Sequence, residues 1–118
     1  MKILVVDDDE DIRLSVADII TEMGWEAQTC ENGKEALDHL ESNDFSMMFL
    51  DLVMPEMGGV ETLSEIKKRG IDVETIVLSG NISRDLRDHC KKFGARRFLE
   101  KPVENSDIEY LLKAKKRS

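Results

Sequence analysis

A chain of 118 residues suits one domain, large enough to bury roughly two thirds of its unfolded surface in a single core. Apolar residues make up 41% and charged residues 36%, which excludes a disordered chain. No apolar run approaches the ~18 residues of a membrane span, and none has the form of a secretory leader. The net charge of −8 argues against nucleic acid as the main ligand.

That charge is unevenly spread. Residues 1–83 carry 6 basic and 19 acidic side chains, whereas residues 84–118 carry 11 and 6. The basic final third suits an acidic protein partner or an ordinary solvated face. Cys30 and Cys90 have neither metal-ligand spacing nor a disulfide framework, so reduced thiols and a cytoplasmic location are expected.

In chain order, Ile3-Leu4-Val5-Val6 is a continuous apolar run, hence a central strand, and it ends in five acids, Asp7 to Asp11. A helix follows with Ile12, Val16, Ile19, Ile20 and Met23 at helical spacing, closed by Gly24. Glu26 to Cys30 alternates as an edge strand does. Asn32 caps a second helix carrying Ala36, Leu37 and Leu40, with Glu35 three residues on. Met47 to Leu50 form the next central strand and run into Asp51; Pro55 to Gly59 form a loop, with Pro55 barring a helix there. A helix with Val60, Leu63 and Ile66 ends at Gly70.

Thr75 to Leu78 is a third central strand, ending at Ser79-Gly80-Asn81. Ser83 opens a helix with Leu86, Cys90 and Phe93 turned inward, broken by Gly94. Arg96 to Glu100 is a short edge strand ending at Lys101-Pro102. Ser106-Asp107-Ile108-Glu109 reads as a capping box opening the last helix, which carries Ile108, Leu111 and Leu112 and places Lys113 to Arg117 near its end. Strict βα alternation demands a parallel sheet with helices on both faces, an α/β doubly wound, flavodoxin-like (βα)5 fold in one domain. Strand order 2-1-3-4-5 puts the two edge-like strands outside and the switch point between Asp7 and Asp51.

The carboxyl ends of those strands deliver Asp7, Asp8, Asp51, Ser79 and Lys101 to one edge. Adjacent strands lie about 4.8 Å apart, so the acids fall close together and repel unless a cation sits among them. Hard oxygen ligands suit Mg²⁺, which keeps waters and often bridges to phosphate. Lys101 adds a point charge and Ser79 a hydroxyl. Such a clamp fits a phosphoryl group, with Asp51 as nucleophile forming an aspartyl-phosphate.

Several motifs taken together closely resemble the response-regulator receiver family of two-component signalling: Asp7-Asp8 after the first strand, Asp51-Leu52-Val53-Met54-Pro55, Gly58-Gly59, Ser79-Gly80, Gly94-Ala95 and Phe98-Leu99-Glu100-Lys101-Pro102. The resemblance covers essentially all of residues 1–118. It implies that Asp51 accepts a phosphoryl group from a sensor histidine kinase or histidine phosphotransfer protein. It implies Mg²⁺, with Mn²⁺ able to substitute, on Asp8, Asp51, the Val53 carbonyl and Asp7, the last directly or through water. Ser79 would then bond the phosphoryl group, Phe98 would swing inward, Lys101 would pair with the phosphoryl group, and Lys101-Pro102 would be cis.

Output would pass through the fourth helix, fifth strand and fifth helix to a downstream protein or fused output domain, with no direct nucleic-acid or membrane contact. Such a domain catalyses its own phosphorylation and slow dephosphorylation, as a switch rather than a turnover enzyme. Val53 and Asn81, each two residues past a site residue, would flank the hydrolytic water. Many relatives carry an acid before the second glycine of Gly58-Gly59, so a looser loop is expected here.

An aspartyl phosphatase would instead need a second acid at Val53, and a flavin carrier would need glycines and hydroxyls where Asp7 to Asp11 stand. An interaction module without phosphorylation would lack one of the site residues. The chain stops just after its last helix, as in a stand-alone regulator or a receiver cut from a longer protein.

Overall fold

Strands that are apolar at every position can be stable only in a sheet covered on both faces. A computed structural model describes residues 1–54 and 56–117, the last as backbone only, and has that arrangement. Pro55, expected to open the loop after the third strand, and Ser118 lie outside them. The elements are β1 (Lys2–Val6), α1 (Glu10–Glu22), β2 (Glu26–Cys30), α2 (Gly33–Ser42), β3 (Met47–Asp51), α3 (Gly59–Lys68), β4 (Glu74–Ser79), α4 (Arg84–Lys92), β5 (Arg97–Glu100) and α5 (Asn105–Arg117). The sheet is parallel throughout in the expected order β2-β1-β3-β4-β5. No helix among the described residues is long and apolar enough to cross a membrane.

Alternate residues of a strand point to opposite faces, and the two cores follow that rule. Ile3, Val5, Met47, Phe49, Ile76 and Leu78 pack against Val16, Ile19 and Ile20 of α1 and Ile108, Leu111 and Leu112 of α5. Leu4, Val6, Met48, Leu50 and Val77 pack against α2, α3 and Cys90 of α4. Continued past the strand ends, the first parity reaches Asp7, Asp51 and Lys101, and the second reaches Ser79, with Phe98 beside it. The sheet thus sorts its polar edge into two groups before any side chain bends.

Local signals account for most of the ends. Asp9 caps α1, accepting from the Asp11 and Ile12 N–H groups, so the five-acid run divides into a pair before the helix, a cap, and Glu10 and Asp11 in the first turn. Asn32 caps α2 by accepting from Glu35 N–H at 2.9 Å, while Glu35 Oε2 accepts from Glu31 N–H. Ser83 caps α4. Gly24, Gly70 and Gly94, just past three helices, hold positive φ, which costs glycine nothing. The last helix departs from expectation. It begins at Asn105, and the Glu104 carbonyl accepts from Asp107 and Ile108 N–H, so Ser106 sits inside the first turn and caps nothing.

The loop between β3 and α3 is tied at two points: Gly59 N–H donates to the Leu52 carbonyl at 3.0 Å, and Gly33 N–H to the Met57 carbonyl at 3.2 Å. A Cβ on Gly59 would lie 2.6 Å from the Asp51 carbonyl oxygen and 2.7 Å from Leu52 Cα, both main-chain atoms that cannot yield cheaply. Gly59→Ala is therefore expected to lower stability by about 2 kcal/mol or more, as strain at a close backbone contact does. Urea denaturation checks this; an unchanged midpoint would contradict it.

Candidate functional site

Asp7 follows β1 directly and extends its ladder, its N–H donating to the Cys30 carbonyl at 3.2 Å. Its side chain is fully buried. Oδ1 accepts from Asp9 N–H at 2.9 Å. Oδ2 lies 2.9 Å from Lys101 Nζ yet accepts no well-directed hydrogen bond, so a buried carboxylate oxygen keeps an unfilled lone pair. Asp51 ends β3 at 4% exposure, with Oδ1 3.3 Å from Lys101 Nζ and 3.4 Å from the Val53 N–H that donates to it. Asp8 is exposed, and one carboxylate oxygen from each of Asp7, Asp8 and Asp51 falls within 4.8 Å of the others.

Lys101 is delivered by the end of β5, its N–H donating to the Ser79 carbonyl at 2.8 Å. Its stem helps wall a cleft of about 220 Å³ between α1 and α5. The Lys101-Pro102 peptide is cis, as the resemblance implies.

The acids and the lysine set one another's charge. Burial, then the Asp7 charge, push the Asp51 carboxyl up from 3.8 to about 6, against the pull of Lys101 and the Val53 N–H. Burial works against the Lys101 ammonium, but contact with Asp7 and the charges of Asp51 and Asp7 outweigh it and hold the ammonium above its ordinary value. Hard oxygens only, one of them buried and unfilled, form a donor set that fits a small dication.

Of the remaining predicted residues, Val53 touches the cluster through the N–H it gives to Asp51 Oδ1, and Ser79 through its carbonyl, which accepts from Lys101 N–H. Ser79 is 2% exposed, and its Oγ accepts from Asn81 N–H at 3.4 Å. Phe98 is half-buried beside the core of α2, α3 and α4, with the Arg87 guanidinium 5.0 Å from its ring centroid. Val53 is 77% exposed in the loop after β3. Sequence reasoning overlooked Arg13, whose Nη1 donates to the Asp7 carbonyl at 2.7 Å while Nη2 lies 3.6 Å from Glu31 Oε1. Its signal was a cation one turn past the Asp9 cap, which places it over the strand end.

The sequence profile described as the response regulator receiver domain matches residues 3–113. The chain belongs to the response-regulator receiver family. Over 108 residues it is 33% identical to the chemotaxis protein CheY of Thermotoga maritima, covering 91% of this chain and 90% of that one. It is 34% identical over 113 residues to the putative NtrX-like response regulator of Rickettsia bellii, covering 94% of this chain but spanning only 24% of that longer protein. The solved structure of the Thermotoga maritima response regulator TrrA, in complex with Mg²⁺–BeF, superposes with a TM-score of 0.81 at 31% identity over 96% of each chain.

The receiver's acid pocket has a thermodynamic signature. Asp51 binds its proton more tightly folded than unfolded, so its contribution to stability is complete below pH ~4 and is lost as pH rises through about 6. At neutral pH the ionised, desolvated carboxylate is a net cost. Metal-free Asp51→Asn is expected to exceed the wild type in stability by about 2 kcal/mol at pH 7.5, with the gap closing toward pH 4. Urea titrations in chelator at both pH values check this; a gap independent of pH would overturn it.

Proposed function

We propose that this receiver takes a phosphoryl group onto Asp51 from the phosphohistidine of a sensor histidine kinase or phosphotransfer protein. The observation carrying this is the convergence of Asp7, Asp8 and Asp51 carboxylate oxygens within 4.8 Å, with the Lys101 ammonium 3.3 Å from Asp51 Oδ1. An Asp51 oxygen attacks phosphorus, the phosphorus–nitrogen bond breaks, and the imidazole nitrogen keeps the bonding pair. Ionised Asp51 is the competent form, and it prevails above pH 6.

Asp7, Asp8, Asp51 and the Val53 carbonyl would hold Mg²⁺, or Mn²⁺ in its place. The ion supplies neutralising charge to the phosphoryl oxygens and relieves repulsion among the acids. Lys101 holds a phosphoryl oxygen by charge from the α1–α5 side. Ser79 supports that oxygen from the opposite parity by turning its hydroxyl toward it. Phe98, whose neighbour Val77 shares its register, follows into the space beside Ser79. The outcome is a shift between two packings of the α4–β5–α5 surface, to which a downstream protein or a fused output domain responds.

Incubation with acetyl phosphate and Mg²⁺, followed by intact mass, tests the chemistry. One phosphoryl group should be gained by the wild type and none by Asp51→Ala; a gain in the variant would move the acceptor elsewhere. Hydrolysis of the product should depend on the exposed Val53, which cannot orient water and crowds its approach, leaving Asn81 as the polar neighbour of Ser79. Val53→Asn is therefore expected to shorten the phosphoryl half-life several-fold. Equal half-lives would contradict a role for that position.

A further inference from the structure

Every polar atom of Asp7 has a partner, three of them through directed hydrogen bonds and Oδ2 through the Lys101 ammonium 2.9 Å away. Its N–H donates to Cys30, its carbonyl accepts from Arg13 Nη1 at 2.7 Å, and Oδ1 accepts from Asp9 N–H at 2.9 Å. Of these atoms Oδ2 alone has no directed hydrogen bond, and one oxygen of the carboxylate lies within 4.8 Å of oxygens of Asp8 and Asp51. Of the three contacts, the first two fix the peptides on either side of the Asp7 Cα and the third fixes the carboxylate's rotation. The Arg13 bond alone comes from a side chain, and a charge-assisted bond at 2.7 Å is a strong one.

Arg13 is also costly to keep where it is. Its side chain is only 12% exposed, and the carboxylate it pairs with among the described residues, Glu31, lies 3.6 Å away with 68% of its own side chain in solvent. An ion pair that open contributes little, so it does not account for a guanidinium held this deep. The bond to the Asp7 carbonyl does, because it anchors the strand end from which the orphan oxygen projects.

Resting on the divalent-cation assignment above, we propose that Arg13 is a positioning residue for metal binding: by holding the Asp7 peptide through its carbonyl, it keeps Oδ2 aimed at the cation. Arg13 touches neither the ion nor the phosphoryl group. Its effect therefore appears in affinity for Mg²⁺ alone, before any phosphoryl donor is added. Loss of a partner that orients a ligand costs roughly tenfold or more in metal affinity.

The sign of the effect separates positioning from plain electrostatics. Arg13 is a cation near a cation site, so its field alone predicts that Arg13→Ala binds Mg²⁺ more tightly. Positioning predicts weaker binding. The test is Mg²⁺ titration of the full chain, stripped of metal and followed by backbone-amide NMR, at a temperature where circular dichroism shows each variant folded.

Arg13→Ala should raise the Mg²⁺ Kd roughly tenfold. Arg13→Lys keeps the charge on one donor nitrogen without the planar fork and should fall between Arg13→Ala and wild type. Glu31→Gln leaves the carbonyl bond in place and should bind as wild type does. An Arg13→Ala Kd equal to or tighter than wild type overturns the proposal; so does a wild-type Kd for Arg13→Lys where Arg13→Ala does not fold. A wild-type chain that shows no Mg²⁺-dependent shifts removes the cation assignment itself and the proposal with it.

Discussion

The acidic edge of the sheet depends on the Lys101 ammonium, lodged between Asp7 Oδ2 and Asp51 Oδ1. Two nearly inaccessible carboxylates side by side cannot both stay ionised on their own, since burial and mutual repulsion drive a proton back onto one of them. The lysine offsets part of that cost and leaves the rest, which is why the Asp51 carboxyl still stands near 6. A pocket in this condition is short of positive charge. That unsatisfied electrostatics is what the proposed dication would relieve.

The pleat of the sheet decides which groups share that pocket. Asp7, Asp51 and Lys101 fall on the parity that faces α1 and α5, whereas Ser79 and Phe98 fall on the parity that faces α2, α3 and α4. The acid cluster and the Ser79–Phe98 pair are therefore separated by the thickness of one sheet. They meet only at its carboxyl rim, where β4 and β5 end.

Much of this was legible in the sequence because its signals were redundant. Three runs apolar at every position could belong only to doubly covered strands, and glycines with positive φ stand just past α1, α3 and α4. Asp7, Asp8, Asp51 and Lys101 could be placed at one edge because each directly follows or ends a strand. Their sorting by face was not legible, since a strand buried on both sides carries no polar alternation to reveal its parity. Ser106 misled because Ser-x-x-Glu fits a cap, yet the helix starts at Asn105, one residue earlier. Arg13 escaped notice because an arginine in a helix ordinarily reads as solvated, and only the fold brings it over the Asp7 carbonyl.

Lys101 N–H donates to the Ser79 carbonyl at 2.8 Å, so two residues whose side chains lie on opposite faces share a rung of the sheet. The flexible lysine stem lets the ammonium swing without moving that rung, so only a shift of the Lys101 main chain would reach the peptide that leads from Ser79 into Gly80. The two faces are thus bound most tightly at the main chain, where β4 and β5 end together, and most loosely at the tips of their side chains.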